Sequence, residues 1–207
     1  GVRSVTPVKD EIREIQAEST GHRWGKQIFF MGIAILGIGL FWMQKDHYKA
    51  YQQWNKAQMF YNNKAYEAAL EVYEPLYPLL KHKPEFLFEA AQSLIKTGQY
   101  EKANEYLERA VLLSSDPMLY YVMAKNEQCL GEYRQAEKHL LHAIDILPER
   151  IYPYYLLMNL YTEPSYFQPA KLKMAIDSVL TKKPKVESSA IKEMKEKARS
   201  MLNNTSI

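Results

Sequence analysis

"KTGQYEKANEYLERA", residues 96–110, decides the fold, because two other stretches of the chain superimpose on it without a gap. "NKAYEAALEVYEPL" (63–76) lies 34 residues upstream in register, and "CLGEYRQAEKHLLHA" (129–143) lies 33 downstream. Each places an aromatic three residues before a small residue, at Tyr66/Ala69, Tyr100/Ala103 and Tyr133/Ala136. A second small position precedes each turn, at Ala57, Ala91 and Ala124, and Leu76, Ala110 and Ala143 follow seven residues beyond the first alanines. Gly98 and Gly131 fall where two helices meet in a tight turn, and Lys64 takes that place in the first unit.

Two antiparallel helices approach closely only where small side chains face one another, and the tyrosine then fills the wedge between neighbouring units. A 34-residue helix–turn–helix period with these positions resembles the tetratricopeptide repeat, whose units stack into a solenoid. Pro84, Pro117 and Pro148 punctuate the ends of the units. A degenerate fourth unit follows: "RIYPYYLLMNLYTEPSY" (150–166) aligns by a shift of 33, with Pro164 in place of the turn glycine and Leu172, Ile176 and Val179 as its packing face. After Pro184, "SSAIKEMKEKARSML" reads as an amphipathic helix with Ser188 or Ser189 placed to cap it. Ile191, Met194, Ala198 and Met201 form its apolar stripe, as the last element of an open solenoid requires.

Upstream, residues 27–44 are uncharged and bracketed by Lys26 and Lys45. Eighteen helical residues span about 27 Å against a hydrocarbon core of ~30 Å. Their four Ile, two Leu and three Phe favour insertion by about 3–5 kcal/mol before the glycines subtract from it. Trp24 and Trp42 stand near the two ends, as an aromatic belt places them. Basic residues are balanced across the segment, so orientation is not set by charge. No Gly or Pro interrupts the chain from Gly39 to Pro75, so one helix is expected to run from the span into the first repeat. Residues 1–26 read as a polar tail or linker with one or two helical turns, and a first residue of Gly reads as a processed or partial chain.

The expected fold is therefore all-α: a right-handed α-solenoid of the tetratricopeptide type preceded by one apolar, transmembrane helix. Its expected parts are a tail (1–26), a span (27–44), an array of three good repeats and one degenerate repeat (45–185), and a capping helix with tail (186–207).

The resemblance to this repeat family implies a concave face lined by the first helix of each unit. Carried over position by position, that face holds Trp54, Gln58 and Tyr61, then Phe88, Gln92 and Ile95. Met118, Tyr121, Lys125 and Gln128 follow, then Tyr154, Met158 and Tyr161. Aromatics with a few amides suit a protein or peptide partner with an apolar face. The Lys/Asn/Lys/Arg clamp with which some such domains hold the C-terminal carboxylate of heat-shock chaperones is absent, since Trp54, Gln58, Glu89, Met118 and Val122 stand at the matching places.

Other chemistry finds little support. A net charge of +3 gives no reason to expect nucleic acid. His139 and His142 share a helix face at ligand spacing but have no third ligand nearby in sequence, so they read as a solvated face and no metal or other cofactor is expected. Cys129, the single cysteine, reads as a packing residue at a helix end. No catalytic constellation is visible, so no enzymatic activity is expected of this chain.

"LSSDPMLYYVMAKNEQCLGEYRQAEKHLLHA" (113–143), "ERIYPYYLLMNLY" (149–161) and "TKKPKVESSAIKEMKEK" (181–197) are similar to the C-terminal tail of O-antigen ligase/polymerase-like membrane proteins of Bacteroidetes. That resemblance implies a bacterial inner-membrane location, a periplasmic array and partners in surface-polysaccharide assembly. None of that family's multi-spanning catalytic part is present. The functional expectation is a membrane-tethered, non-catalytic scaffold binding a protein or peptide on its concave face. The alternatives are an accessory domain contacting glycan through Tyr121 and Tyr154, or a soluble protein with residues 28–43 buried.

Overall fold

The computed structural model describes residues 6–184 and 186–204, which form helices and connecting turns without a strand among them. It divides into two compact units, Gly1–Tyr51 and Gln52–Ile207. Helix α1 (Thr6–Asn62) is unbroken from the polar N-terminal residues to the first repeat. The one or two turns expected before residue 27 extend to a helix from Thr6, because Glu, Lys, Arg, Ile and Ala there are compatible with helix and Pro7 sits in the first turn. Within it, the large apolar residues between Phe29 and Trp42 are all exposed, by 51% to 70%.

The second unit begins with the end of α1, which is followed by α2 (Tyr66–Leu80). Then come the pairs α3 (Pro84–Lys96) with α4 (Tyr100–Val111) and α5 (Pro117–Cys129) with α6 (Tyr133–Ile146). The fourth pair is α7 (Tyr152–Leu160) with α8 (Pro169–Thr181), joined through a single 3-10 turn at Pro164–Tyr166, and α9 (Ser189–Asn204) closes the row. Helices pack within the second, third and fourth pairs, each second helix packs on the first helix of the next pair, and lesser contacts join α3 to α5, α5 to α7 and α7 to α9.

The small residues form these contacts. Ala57, Ala91 and Ala124 on first helices, and Ala69, Ala103, Ala136, Ala110 and Ala143 on second helices, have no exposed surface. Pro84 and Pro117 are the first residues of α3 and α5, where a missing N–H is no loss. α2 runs through Pro75 and Pro78, with Leu76 and Leu80 buried alongside them.

Three hairpins turn identically. The amides of Ala65, Gln99 and Glu132 donate to the carbonyls of Phe60, Leu94 and Glu127 at 2.8–2.9 Å, five residues back, the long bond of a Schellman turn. That bond requires the preceding residue to be left-handed: Gly98 has φ +79°, Gly131 φ +77°, and Lys64, alone among non-glycine residues described, φ 61°. The fourth unit has no such residue. Its turn is held instead by the Thr162 hydroxyl donating to the Asn159 carbonyl at 2.6 Å, and by the Gln168 amide donating to the Tyr161 carbonyl.

At α9, Ser188 is the cap: its Oγ accepts from the Ile191 amide at 3.3 Å. Ala198 is fully buried, with Ile191, Met194 and Met201 packed around the last core cluster, so the expected stripe faces the array.

Because an added Cβ at Gly98 meets no atom within 4 Å, its substitution isolates the backbone cost. Gly98→Ala is expected to lower stability by about 1 kcal/mol and Lys64→Gly to raise it by a similar amount. Urea unfolding of the full chain in mild detergent, followed by helical circular dichroism, measures both.

Candidate functional site: the inner face of the repeats

The first two units are locked together by a carboxylate. Glu89, on α3, accepts from the Trp54 indole N–H at 2.7 Å, the Gln58 amide at 2.8 Å and the Tyr73 hydroxyl at 3.1 Å. Trp54 also meets the edge of the buried Phe86 ring, as does Tyr73. Burial, followed by the charge of Glu89 and its hydrogen bond, pushes the Tyr73 hydroxyl far above the ordinary tyrosine range, so it stays a donor. The polar groups of Trp54 and Gln58, both expected on the inner face, are thereby taken up by a carboxylate of the same chain.

The expected inner-face residues divide into two groups. Phe88, Gln92 and Ile95 are partly exposed, Met118 and Lys125 are exposed, and Gln128 is partly exposed with its amide donating to the Ala124 carbonyl. Tyr61 is half-buried against the edge of Tyr66, and burial, Tyr66 and Glu89 raise its pKa. Tyr154 is half-buried, its hydroxyl donating to the Pro148 carbonyl at 3.2 Å, with the Lys182 ammonium 4.9 Å over its ring.

Tyr121, Met158 and Tyr161, by contrast, are core residues, at 3%, 0% and 4% exposure. Tyr121 packs edge-on against Tyr152 at 5.2 Å, closing the step between α5 and α7. Met158 lies in the cluster that α9 covers. Tyr161 reaches back to α6, where its hydroxyl donates to Glu137 at 2.6 Å. These three present no ring or chain to a ligand, and a glycan-stacking role thereby loses Tyr121.

Glu137 is a second carboxylate hub. The Tyr166 hydroxyl donates to it at 2.6 Å and the Lys171 ammonium at 2.7 Å, while Tyr166 stacks on Tyr133. These bonds tie the degenerate fourth unit to the third where a turn glycine is missing.

The third unit carries an unexpected buried polar pair. Glu127 is 2% exposed at the position where the second and fourth units bury Leu94 and Leu160. A ring nitrogen of His139 lies 2.9 Å from its carboxylate. His139 is therefore engaged and not part of a solvated face, whereas His142 is exposed against the Tyr120 ring. Cys129, expected to pack, is exposed: its register partners in the neighbouring units are Lys96 and Thr162. Among the described residues no group of three or more His, Cys, Asp or Glu converges in a metal-binding arrangement.

Two openings lie at the N-terminal turns of first helices, and of the expected inner-face residues only Phe88 lines either of them. One, about 240 Å³, lies between α3 and α5 around Phe88 and Leu119. The other, about 550 Å³, lies between the loop before α7 and the start of α9 around Ile151, Tyr152, Ile191 and Met194. The "SSDP" before α5 was the available sequence signal for the first, since Asp116 caps α5 by accepting from the Met118 amide at 2.9 Å.

With this geometry in view, comparisons with known proteins are informative. Residues 62–143 match the family profile described as anaphase-promoting complex, cyclosome, subunit 3. Mouse tetratricopeptide repeat protein 21A is 35% identical over 86 residues, 42% of this chain but 6% of that much longer relative. A crystal structure of MamA protein superimposes with a TM-score of 0.60 at 17% identity, covering 74% of this chain and 88% of MamA. The first such repeat domain of Spaghetti (RPAP3), solved with an HSP90 peptide SRMEEVD, gives 0.50 at 16% identity, over 54% of this chain and 89% of that one. The repeats are of the tetratricopeptide type, and the fold is the expected all-α solenoid.

Burial raises the pKa of the Glu137 carboxyl, but hydrogen bonds from Lys171, Tyr161 and Tyr166 and the Lys171 charge outweigh it, leaving the value below the ordinary one. The folded value thus lies below an unfolded value of about 4.3. Its stabilisation is complete above that unfolded value and is lost as pH falls through the folded one. The melting temperature of wild type minus that of Glu137→Gln is expected to be positive at pH 7 and to shrink towards pH 3. Thermal melts at the two pH values check it.

Proposed function

We propose that this array of tetratricopeptide repeats is the peptide- or protein-binding part of a scaffold held at a membrane by residues 27–44. The observation that carries the reading is the pairing of two features. A repeat row whose fold is shared with a domain solved holding a peptide stands on the same helix as a run of large apolar side chains exposed without interruption from Phe29 to Trp42. Leaving that much apolar surface in water opposes solubility, and burying it in hydrocarbon relieves it. The same exposure weighs against a soluble protein with residues 28–43 inside.

Binding, not catalysis, fits the inner face, where the Glu89 carboxylate is engaged by internal donors. The bacterial inner-membrane location, periplasmic array and surface-polysaccharide partners rest on the resemblance of residues 113–143, 149–161 and 181–197 alone.

Topology reporters fused before Gly1 and after Ile207 in a bacterial host, combined with carbonate extraction, test the placement. Membrane retention with Ile207 outside the cytoplasm is expected. A retained chain with Ile207 in the cytoplasm overturns the polysaccharide placement, and release by carbonate overturns the tether.

A further inference from the structure

The three steps between successive first helices, and the step from α7 to α9, alternate between closed and open. The first is closed by Trp54 and Gln58 on Glu89. The second is the open notch between α3 and α5, with Phe88 and Leu119 among its apolar lining and Glu85, Glu89 and Asp116 as its charged groups. The third is closed by Tyr121 on Tyr152. The fourth is the larger, mainly apolar cleft leading to α9.

Resting on the peptide-binding reading above, we infer that the partner is an extended peptide that sets a Lys or Arg side chain in the notch and an aliphatic or aromatic side chain in the cleft. Three observations carry this. No cation lines the notch, and neither Glu85 nor Asp116 belongs to an ion pair among the described residues. Asp116 commits Oδ1 to its cap, leaving Oδ2 for a ligand, and Glu85 is exposed at the first turn of α3. A cationic side chain with an apolar stem satisfies both the charges and the apolar lining.

The cleft two steps along is lined by Ile151, Tyr152, Val186, Ile191 and Met194 together with one acid and one base, Glu149 and Arg150, so its charges balance and its apolar majority takes a side chain without charge. An acidic peptide is disfavoured: Trp54 and Gln58, the donors that would meet its carboxylate, already hold Glu89.

Selection of random dodecapeptides displayed on phage against the full chain, immobilised in mild detergent micelles, tests the proposal. Enriched peptides are expected to pair a Lys or Arg with a large apolar residue. The best of them, made synthetically, is expected to bind at least tenfold more weakly to Glu85→Gln/Asp116→Asn, in which Asn still caps α5. Enrichment of acidic peptides, or basic peptides indifferent to the double variant, overturns the partner chemistry and leaves peptide binding standing. No enrichment at all overturns the peptide-binding reading itself.

Discussion

Everything in the second unit depends on how closely helices meet at alanine. A row of helix pairs has no central core, so each interface must bury enough surface alone to order two helices. Fully buried alanines recur on first and second helices at the repeat spacing, and larger side chains there would hold the backbones apart. Leu87, Leu94, Leu107 and Leu140, each fully buried, then fill the space around these contacts. The left-handed turn residues follow from the same constraint, because antiparallel helices this close leave room for only a short reversal.

Polar groups do the remaining work where apolar packing is incomplete. Glu89 draws together Trp54 and Gln58 of the first unit with Tyr73. Glu137 compensates for the missing turn glycine by gathering Tyr161, Tyr166 and Lys171 from the fourth. Each carboxylate is surrounded by donors, which is what makes its partial burial tolerable. On the inner face, Trp54 and Gln58 are thereby committed to Glu89, while Tyr121, Met158 and Tyr161 of the third and fourth units are covered by packing.

The repeat period, the turn positions and the capping stripe were legible in the chain because steric demands at Ala, Gly and the α9 apolar residues leave few alternatives. Lys64 was legible as a turn only through its register with Gly98 and Gly131. The inner face was legible in part. Register places a residue on a helix but does not say whether the next helix covers it, and so Tyr121, Met158 and Tyr161 were assigned outward and are covered. The fourth unit misled most, because its first helix is only nine residues long and is enclosed by both α6 and α9. Glu127 was invisible for a different reason: a carboxylate at a leucine position reads as exposed until His139, twelve residues on, is seen to meet it. The unbroken helix from the apolar segment into the repeats was legible from the absence of Gly and Pro after Gly39.

Helix contact at the small positions holds the array together. Ala103→Leu places a larger side chain at such a contact, while Glu105→Leu makes a comparable change on an exposed position of the same helix. Equilibrium urea unfolding of both full-length variants in mild detergent compares them directly. The account predicts that Ala103→Leu loses about 1–3 kcal/mol and Glu105→Leu little. Equal midpoints for the two would contradict it.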